Sequence, residues 1–372
     1  MIIGSCFCLY KDAKTLQESG YAIMTTKGRF TTIFALSLSL LTKLTEKMKH
    51  VSILVPENAV MQAIADPQYL FAAVNQFMAV AGKKPLFEVE LVGLKKQVNI
   101  NDGLFSINTS RLLKEVGHTD LIIIPALAGD MQTAIEANKK ALPWIVAQYN
   151  KGSEVAALCV GAFLLASTGL LNGKQCSTHW GFQNEFRELF PEVAITDGSI
   201  VTEEQGLYSS GGAMSYWNLL LHLVEKYTDR HTAILASKYF AIDIDRDSQA
   251  AFAVFKGQKN HTDEAIKKAQ EFIDENIQEK ITIDALAALV ALGRRSFERR
   301  FKTATNNSVL EYINRVKIES AKRSFESSRK NINEVMYDVG YSDTKAFRSI
   351  FKKITGLTPI EYRNKYNKMV MI

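Results

Sequence analysis

RRSFERRFKTATNNSVLEYI, residues 294–313, recurs fifty residues later as TKAFRSIFKKITGLTPIEYR, residues 344–363. Sliding one stretch over the other superposes Phe297 on Phe347, Phe301 on Phe351, Lys302 on Lys352, Thr305 on Thr355, Glu311 on Glu361 and Tyr312 on Tyr362. In each copy the two phenylalanines stand four residues apart, so they share one helix face and anchor it to a core, while the residues between them face outward. Ahead of each pair runs a shorter apolar helix, residues 284–292 and 333–339, broken at Gly293 and Gly340, with Asp284 and Asn333 as expected N-caps. Helix, tight turn, helix is the helix-turn-helix unit, whose second helix is shaped to enter a DNA major groove. A helix over residues 309–327 links the two units and allows them to reach successive turns of one groove.

The outer face of the first unit offers Arg294, Arg295, Ser296, Glu298, Arg299 and Lys302; the second offers Ser342, Asp343, Thr344, Lys345, Arg348 and Lys352. Arginine suits guanine O6/N7 or phosphate, the hydroxyls suit phosphate or short base contacts, and Glu298 suits cytosine N4. Charge distribution agrees. The net +6 hides an uneven split: residues 281–372 hold 18 Lys/Arg against 9 Asp/Glu, whereas the earlier residues hold 27 against 30. The basic end is the one expected to meet a polyanion.

Residues 264–366 resemble the DNA-binding domain of AraC/XylS-family transcriptional regulators, with RRSFERRFKTAT as the first recognition segment, NRVKIESAKRSFESS as the linker helix and residues 332–363 as the second unit. The chain departs from that family's usual pattern at Thr344, Lys345, Ala346 and Asn306, where Pro, a small polar residue, an aromatic and Gly are common. The resemblance implies binding to double-stranded promoter DNA, and to RNA polymerase if the protein is an activator.

At 372 residues, with 47% hydrophobic and 23% charged side chains, the chain is long enough for two or three globular domains and unlike a disordered tail or coiled-coil rod. Upstream of the helical end, apolar strand-like runs alternate with helical ones: VSILV from Val51, residues 87–94, DLIIIP at 120–125 and residues 155–158, with a hairpin over 98–107 turning at Asn101, Asp102 and Gly103. Helices are expected over residues 134–148, from Cys159 to Gly169, and over 213–227. This alternation predicts a mostly parallel α/β sheet over residues 49–240. Residues 241–263 lose the alternation and read as a partly ordered linker to an all-α domain over 264–368.

Strand, then Cys159-Val160-Gly161, then helix has the form of a nucleophile elbow, in which a helix N-terminus lowers the thiol pKa. His179, in STHW, is the nearby candidate base. The pattern CxGxxxLAxxGLLxGxxxxTHW resembles the class I glutamine amidotransferase-like (PfpI-like) domain that precedes the DNA-binding domain in one AraC subgroup. It implies a flavodoxin-like sandwich used as an effector or dimerisation domain, with Glu57, Cys159, His179 and Ser210 as pocket candidates. Active members of that superfamily often carry His directly after the Cys, where this chain has Val160. Three readings of Cys159 stay open: catalytic group of an amidase- or hydratase-like enzyme, part of an effector pocket, or inert core residue in a dimeric scaffold.

No Cys or His spacing offers a metal site, and no cofactor is expected. The scattered cysteines suit a reducing, cytoplasmic setting. The apolar run at residues 33–41 is too short to span a bilayer, and charged residues follow it, so residues 1–48 read as an uncertain extension rather than a signal or membrane anchor. The expected partners are promoter DNA, a small-molecule effector and a second copy of the chain, with no membrane.

Overall fold

The computed structural model describes residues 48–196 and 198–367, so the extension expected over residues 1–48 lies outside the described residues apart from Met48. A seven-stranded sheet forms from β1 (Lys49–Leu54), β2 (Phe87–Gly93), β5 (Arg111–Leu112), β6 (Leu121–Ile124), β7 (Glu154–Ala157), β10 (Val201–Glu204) and β11 (Leu207–Ser210). Their order is β10-β11-β7-β6-β1-β2-β5. Every neighbouring pair is parallel except β10 with β11, an antiparallel edge. The LIII of β6 is fully buried, as a central parallel strand covered on both faces must be. A separate hairpin, β3 (Gln97–Ile100) with β4 (Phe105–Asn108), turns through the expected Asn101, Asp102 and Gly103, all at positive φ. A short parallel pair, β8 (Gln175–Cys176) and β9 (Ala194–Ile195), completes the strands among the described residues.

Helices α1 (Met61–Val80), α2 (Met131–Asn138), α3 (Leu142–Asn150), α4 (Ala162–Ala166), α5 (Gln183–Leu189), α6 (Tyr216–Tyr227) and α7 (Arg230–Tyr239) accompany the sheet, and their apolar residues join it in one continuous core. The single helix expected over residues 134–148 is two. Asp130 caps α2 through the Thr133 N–H, a 3-10 turn at Lys139–Ala141 follows, and Pro143 opens α3, where its missing N–H costs nothing. The helix expected from Cys159 to Gly169 is also shorter: a 3-10 turn at Cys159–Gly161 leads into the five residues of α4.

The C-terminal part is all helical: α8 (Glu264–Glu275), α9 (Ile283–Leu289), α10 (Arg294–Thr305), α11 (Val309–Ser327), α12 (Ile332–Asp338), α13 (Thr344–Thr355) and α14 (Pro359–Tyr366). It has two small cores. One gathers Phe297, Phe301 and Tyr312 with Ile266, Ile273 and Leu286; the other gathers Phe347, Phe351 and Tyr362 with Phe325, Val335 and Met336. The N-caps lie two residues before the expected ones. Thr282 caps α9 through the Ala285 N–H, and Asn331 caps α12 in a capping box with Glu334. Thr and Asn can cap as well as Asp, and Ile283 and Ile332 then fall inside the first turn, where they pack on the two cores.

Candidate functional site

The fifty-residue repeat is a repeat of packing. Phe297 and Phe301 lie 5.6 Å apart between ring centroids, Phe347 and Phe351 5.8 Å apart, and all four are fully buried. In both copies a Thr hydroxyl near the end of the second helix donates to a Phe carbonyl four residues back: Thr305 to Phe301 at 2.7 Å and Thr355 to Phe351 at 2.8 Å. Asn306 and Gly356 then end α10 and α13 in left-handed conformations, with φ of 56° and 75°. Asn is among the non-glycine residues that best tolerate this region, so the departure at Asn306 leaves the turn intact. Capping boxes at Ser308 with Glu311 and Thr358 with Glu361 start the following helices.

With these positions spent on packing, α10 and α13 turn their charged residues outward. Arg295, Arg299, Lys345 and Arg348 are exposed, and among the described residues none has an ion-pair partner. Lys352 is also exposed, while Lys302 donates to the Asn306 carbonyl at 2.8 Å, an arrangement that a phosphate can replace. Ser342 is exposed, and Ser296 and Thr344 are half-buried at the starts of their helices. Arg294 is differently placed: its guanidinium lies 3.1 Å from Asp284 and 3.7 Å from Glu298. Two of the outward acids thus neutralise one of the candidate DNA contacts. Asp343 is the N-cap of α13, accepting from the Lys345 and Ala346 N–H groups.

The second candidate site lies at the carboxyl edge of the parallel sheet, where open α/β sheets place their ligands. Strand β7 ends into Leu158, and Cys159 follows with φ of 56°, a left-handed conformation that is rare for a residue with a side chain. Its N–H donates to the Ser210 hydroxyl at 3.0 Å, from the end of the adjacent strand β11. Gly161 allows the turn to pass the next strand: a Cβ there would stand 2.5 Å from the Pro125 carbonyl oxygen. The elbow geometry is therefore present, but its expected consequence for the thiol is reversed. Cys159 is 4% exposed, and burial pushes its pKa up to about 12, outweighing a hydrogen bond from the Val160 N–H. A five-residue helix cannot offset that desolvation.

His179 does not hydrogen-bond Cys159 among the described residues. Its Nδ1 accepts from the Gly181 N–H at 3.0 Å, and its ring packs on Trp180 with centroids 5.2 Å apart. Burial lowers its pKa, favouring a neutral imidazole that cannot stabilise a thiolate by charge. Glu57 is elsewhere. It follows β1, and the strand order puts β6 between β1 and β7, a separation of about 10 Å across the sheet. Its carboxylate pairs with Lys95 at 2.5 Å, in a crevice lined in part by Leu54, Val98 and Asn138. The elbow's nearer link to an acid runs through Tyr216, whose hydroxyl donates at 2.6 Å to Asp66 on α1; Asp66 also accepts from the Trp217 indole N–H at 3.0 Å. Burial, then Asp66 and Cys159, raise the Tyr216 pKa, so that phenol stays protonated. Of the four pocket candidates, Ser210 is the one that hydrogen-bonds Cys159; Tyr216 carried no local signal, since its partner lies 150 residues away.

Residues 286–365 match a family described as helix-turn-helix domain, and residues 70–226 match the DJ-1/PfpI family. The chain is similar to the HTH-type transcriptional regulator GbdR of Pseudomonas aeruginosa, 24% identical over 269 residues that make up 72% of this chain and 72% of that protein. It is similar to the HTH-type transcriptional regulator ArgR of the same species, 27% identical over 58% of this chain and 65% of that protein. The HTH-type transcriptional regulator GlxA of Rhizobium meliloti is 23% identical over 58% of this chain and 66% of its own length. The parallel sheet with its elbow and the duplicated helical unit thus each fall within a matched segment, in the same chain. The chain joins a segment of the DJ-1/PfpI type to an AraC-type helix-turn-helix segment, and over 72% of its length it is similar to an HTH-type transcriptional regulator.

Proposed function

We propose that this chain is a sequence-specific DNA-binding transcription regulator whose α/β unit, residues 49–240, serves as an effector or dimerisation domain and whose residues 264–368 grip promoter DNA. The observation that carries the reading is the pair of recognition helices α10 and α13, built on the same internal packing and both presenting uncommitted basic side chains, Arg295 and Arg299 on the first and Lys345 and Arg348 on the second. Phosphate contacts supply most of the affinity and a few side chains select the site. Homodimerisation, RNA polymerase contact in the case of activation, and a cytoplasmic location belong to the same proposal. Among the described residues no helix is long and apolar enough to cross a membrane, and no His/Cys/Asp/Glu cluster is suited to a metal ion.

Catalysis at Cys159 is not part of the proposal. A thiol held near pKa 12 and 4% exposed is a poor nucleophile, and a neutral His179 engaged with Gly181 is not placed to activate it. The test is a mobility titration against the operator with Arg299→Ala and Arg348→Ala at two salt concentrations. Each change should weaken binding by about 1–3 kcal/mol, roughly 5- to 150-fold. Wild-type affinity in both variants at both salts would refute the assignment of α10 and α13 as the reading helices.

A further inference from the structure

Gln249 stands in the segment between the α/β unit and the helical domain, and it is 1% exposed. Four hydrogen bonds hold its side-chain amide. The oxygen accepts from the N–H of Gly212 at 2.8 Å and of Trp180 at 3.3 Å; the nitrogen donates to the carbonyls of Thr178 at 2.9 Å and Ser199 at 3.3 Å. Two donors and two acceptors, all backbone atoms of the α/β unit, therefore match both ends of a primary carboxamide. A carboxylate would satisfy the N–H groups but face two carbonyl oxygens, and a guanidinium or ammonium would satisfy the carbonyls but face two N–H groups. The approach depends on the paired glycines after β11: a Cβ at Gly211 would stand 2.6 Å from the Gln249 amide nitrogen. Thr178 also donates its hydroxyl to the Cys159 carbonyl at 3.2 Å, so the cradle adjoins the elbow.

The same short segment is seated on the helical domain. Ser248 and Ala250 lie within 4.0 Å of the position a Cβ would take on Gly356, which ends the recognition helix α13. Two residues beyond Gln249 the Ala251 carbonyl accepts from the Tyr366 hydroxyl at 3.2 Å, and the Ala253 carbonyl accepts from Lys322 at 2.6 Å. A backbone bridge between Ser199 and Ser248 fixes the other side. One strap thus holds the first unit through the Gln249 side chain and through backbone bonds of Asp247 with Ile200 and of Gln249 with Gly198, and holds the second through its backbone at Ala251 and Ala253.

We propose that the backbone cradle of Thr178, Trp180, Ser199 and Gly212 is a primary-carboxamide site occupied in cis by Gln249, and that a free small carboxamide entering it releases the strap from the end of α13. This rests on reading the α/β unit as an effector domain, and it names the chemistry that the unit senses. The cis occupant explains why a polar linker side chain is buried so completely, and it makes effector binding and strap release mutually dependent.

Hydrogen exchange on the full chain tests it, with propionamide as the probe because it is the Gln side chain severed at Cα. Propionate is the control. Gln249→Ala and the near-isosteric Gln249→Glu should each speed exchange of residues 246–256 and of the turn at Gly356 by about tenfold or more, leaving β6 unchanged, as expected for losing two or more net hydrogen bonds. Propionamide should speed exchange of the same segments in the wild type, and propionate should not. Unchanged exchange in both variants, an equal response to propionate, or a loosened strap with an unchanged Gly356 turn would each overturn the proposal. Operator binding by the same samples separates the two readings: a wild type that fails to bind DNA refutes the regulator assignment, whereas the exchange data judge the cradle by themselves.

Discussion

Lys322 and Glu319, on consecutive turns of α11, are 5% and 8% exposed at their side chains and pair at 2.7 Å. Lys322 also donates to the Ala253 carbonyl, and the same Glu319 oxygen accepts from the Phe255 N–H at 3.1 Å, so the pair is a buried clamp on the strap. Replacing Lys322 with Met preserves much of the volume but leaves the Glu319 carboxylate buried with Phe255 N–H and a distant Arg323, 3.9 Å away and largely exposed. Stranding one member of a buried pair costs about 3–5 kcal/mol. Against a typical domain stability of about 5–15 kcal/mol, that is a large share. The double change Lys322→Met with Glu319→Leu removes both desolvation penalties, and the half-buried Ala253 and Phe255 backbone groups can turn to water. It should therefore cost about 2 kcal/mol less than the sum of the singles. Urea titration of the full chain can isolate the effect. Trp144, Trp180 and Trp217 are the three tryptophans of the chain, and all lie in the α/β unit, so fluorescence follows that unit while far-ultraviolet circular dichroism also follows the helical domain. The single change should lower the helical transition by on the order of 2 M urea and leave the fluorescence transition near its wild-type midpoint. A loss below about 1 kcal/mol in Lys322→Met, or a double variant as unstable as the summed singles, would refute the reasoning.

With its pKa near 12, Cys159 carries far less thiolate at pH 8 than an ordinary cysteine, so its alkylation by iodoacetamide, followed by peptide mass spectrometry, should be on the order of a thousandfold slower in the native protein than in the urea-unfolded chain; comparable rates would contradict the buried thiol. Gly161→Ala forces a Cβ to 2.5 Å and 2.7 Å from the carbonyl oxygens of Pro125 and Ile124, neither of which can swing aside. A loss of about 3 kcal/mol or more in the fluorescence-detected transition is expected, and a wild-type midpoint would show that the β6–β7 loops yield more easily than their packing implies. Asp263 accepts two hydrogen bonds from Arg300, at 2.6 and 2.8 Å, and caps α8; these bonds from the Arg300 guanidinium hold its carboxyl below the usual carboxylate range. Since the folded pKa is the lower one, the contribution is full above the unfolded value of about 3.9 and disappears as pH falls through the folded value. Asp263→Asn should therefore be less stable at neutral pH and show a shallower loss of helical stability on acidification; parallel pH curves for variant and wild type would disprove the linkage.

Much of the helical domain was legible because its information is local. Phenylalanines four apart and a glycine break before each second helix lie within one or two turns, and the duplication repeats the signal. The bounds of α11 follow from the same kind of evidence. Where local rules permit alternatives, as between Asp284 and Thr282 for the cap of α9, packing of Ile283 decided. The sheet was legible as alternating strands and helices, but alternation does not carry strand order. That order separates Glu57 from Cys159 and sets Ser210 beside it.

The sequence by itself determined that this protein has a parallel α/β unit, a sharp turn bearing Cys159, and two basic helix-turn-helix units at its C-terminal end. Hydrophobic periodicity, turn residues and charge are written along the chain, so those features can be read there. Tertiary structure alone decided the state of the thiol, the capture of Arg294 by Asp284 and Glu298, and the place of Gln249. Desolvation depends on what covers a group, and hydrogen-bond complementarity depends on backbone atoms brought together from distant positions. A glutamine in a polar linker looks like any solvated residue until Thr178, Trp180, Ser199 and Gly212 close around it.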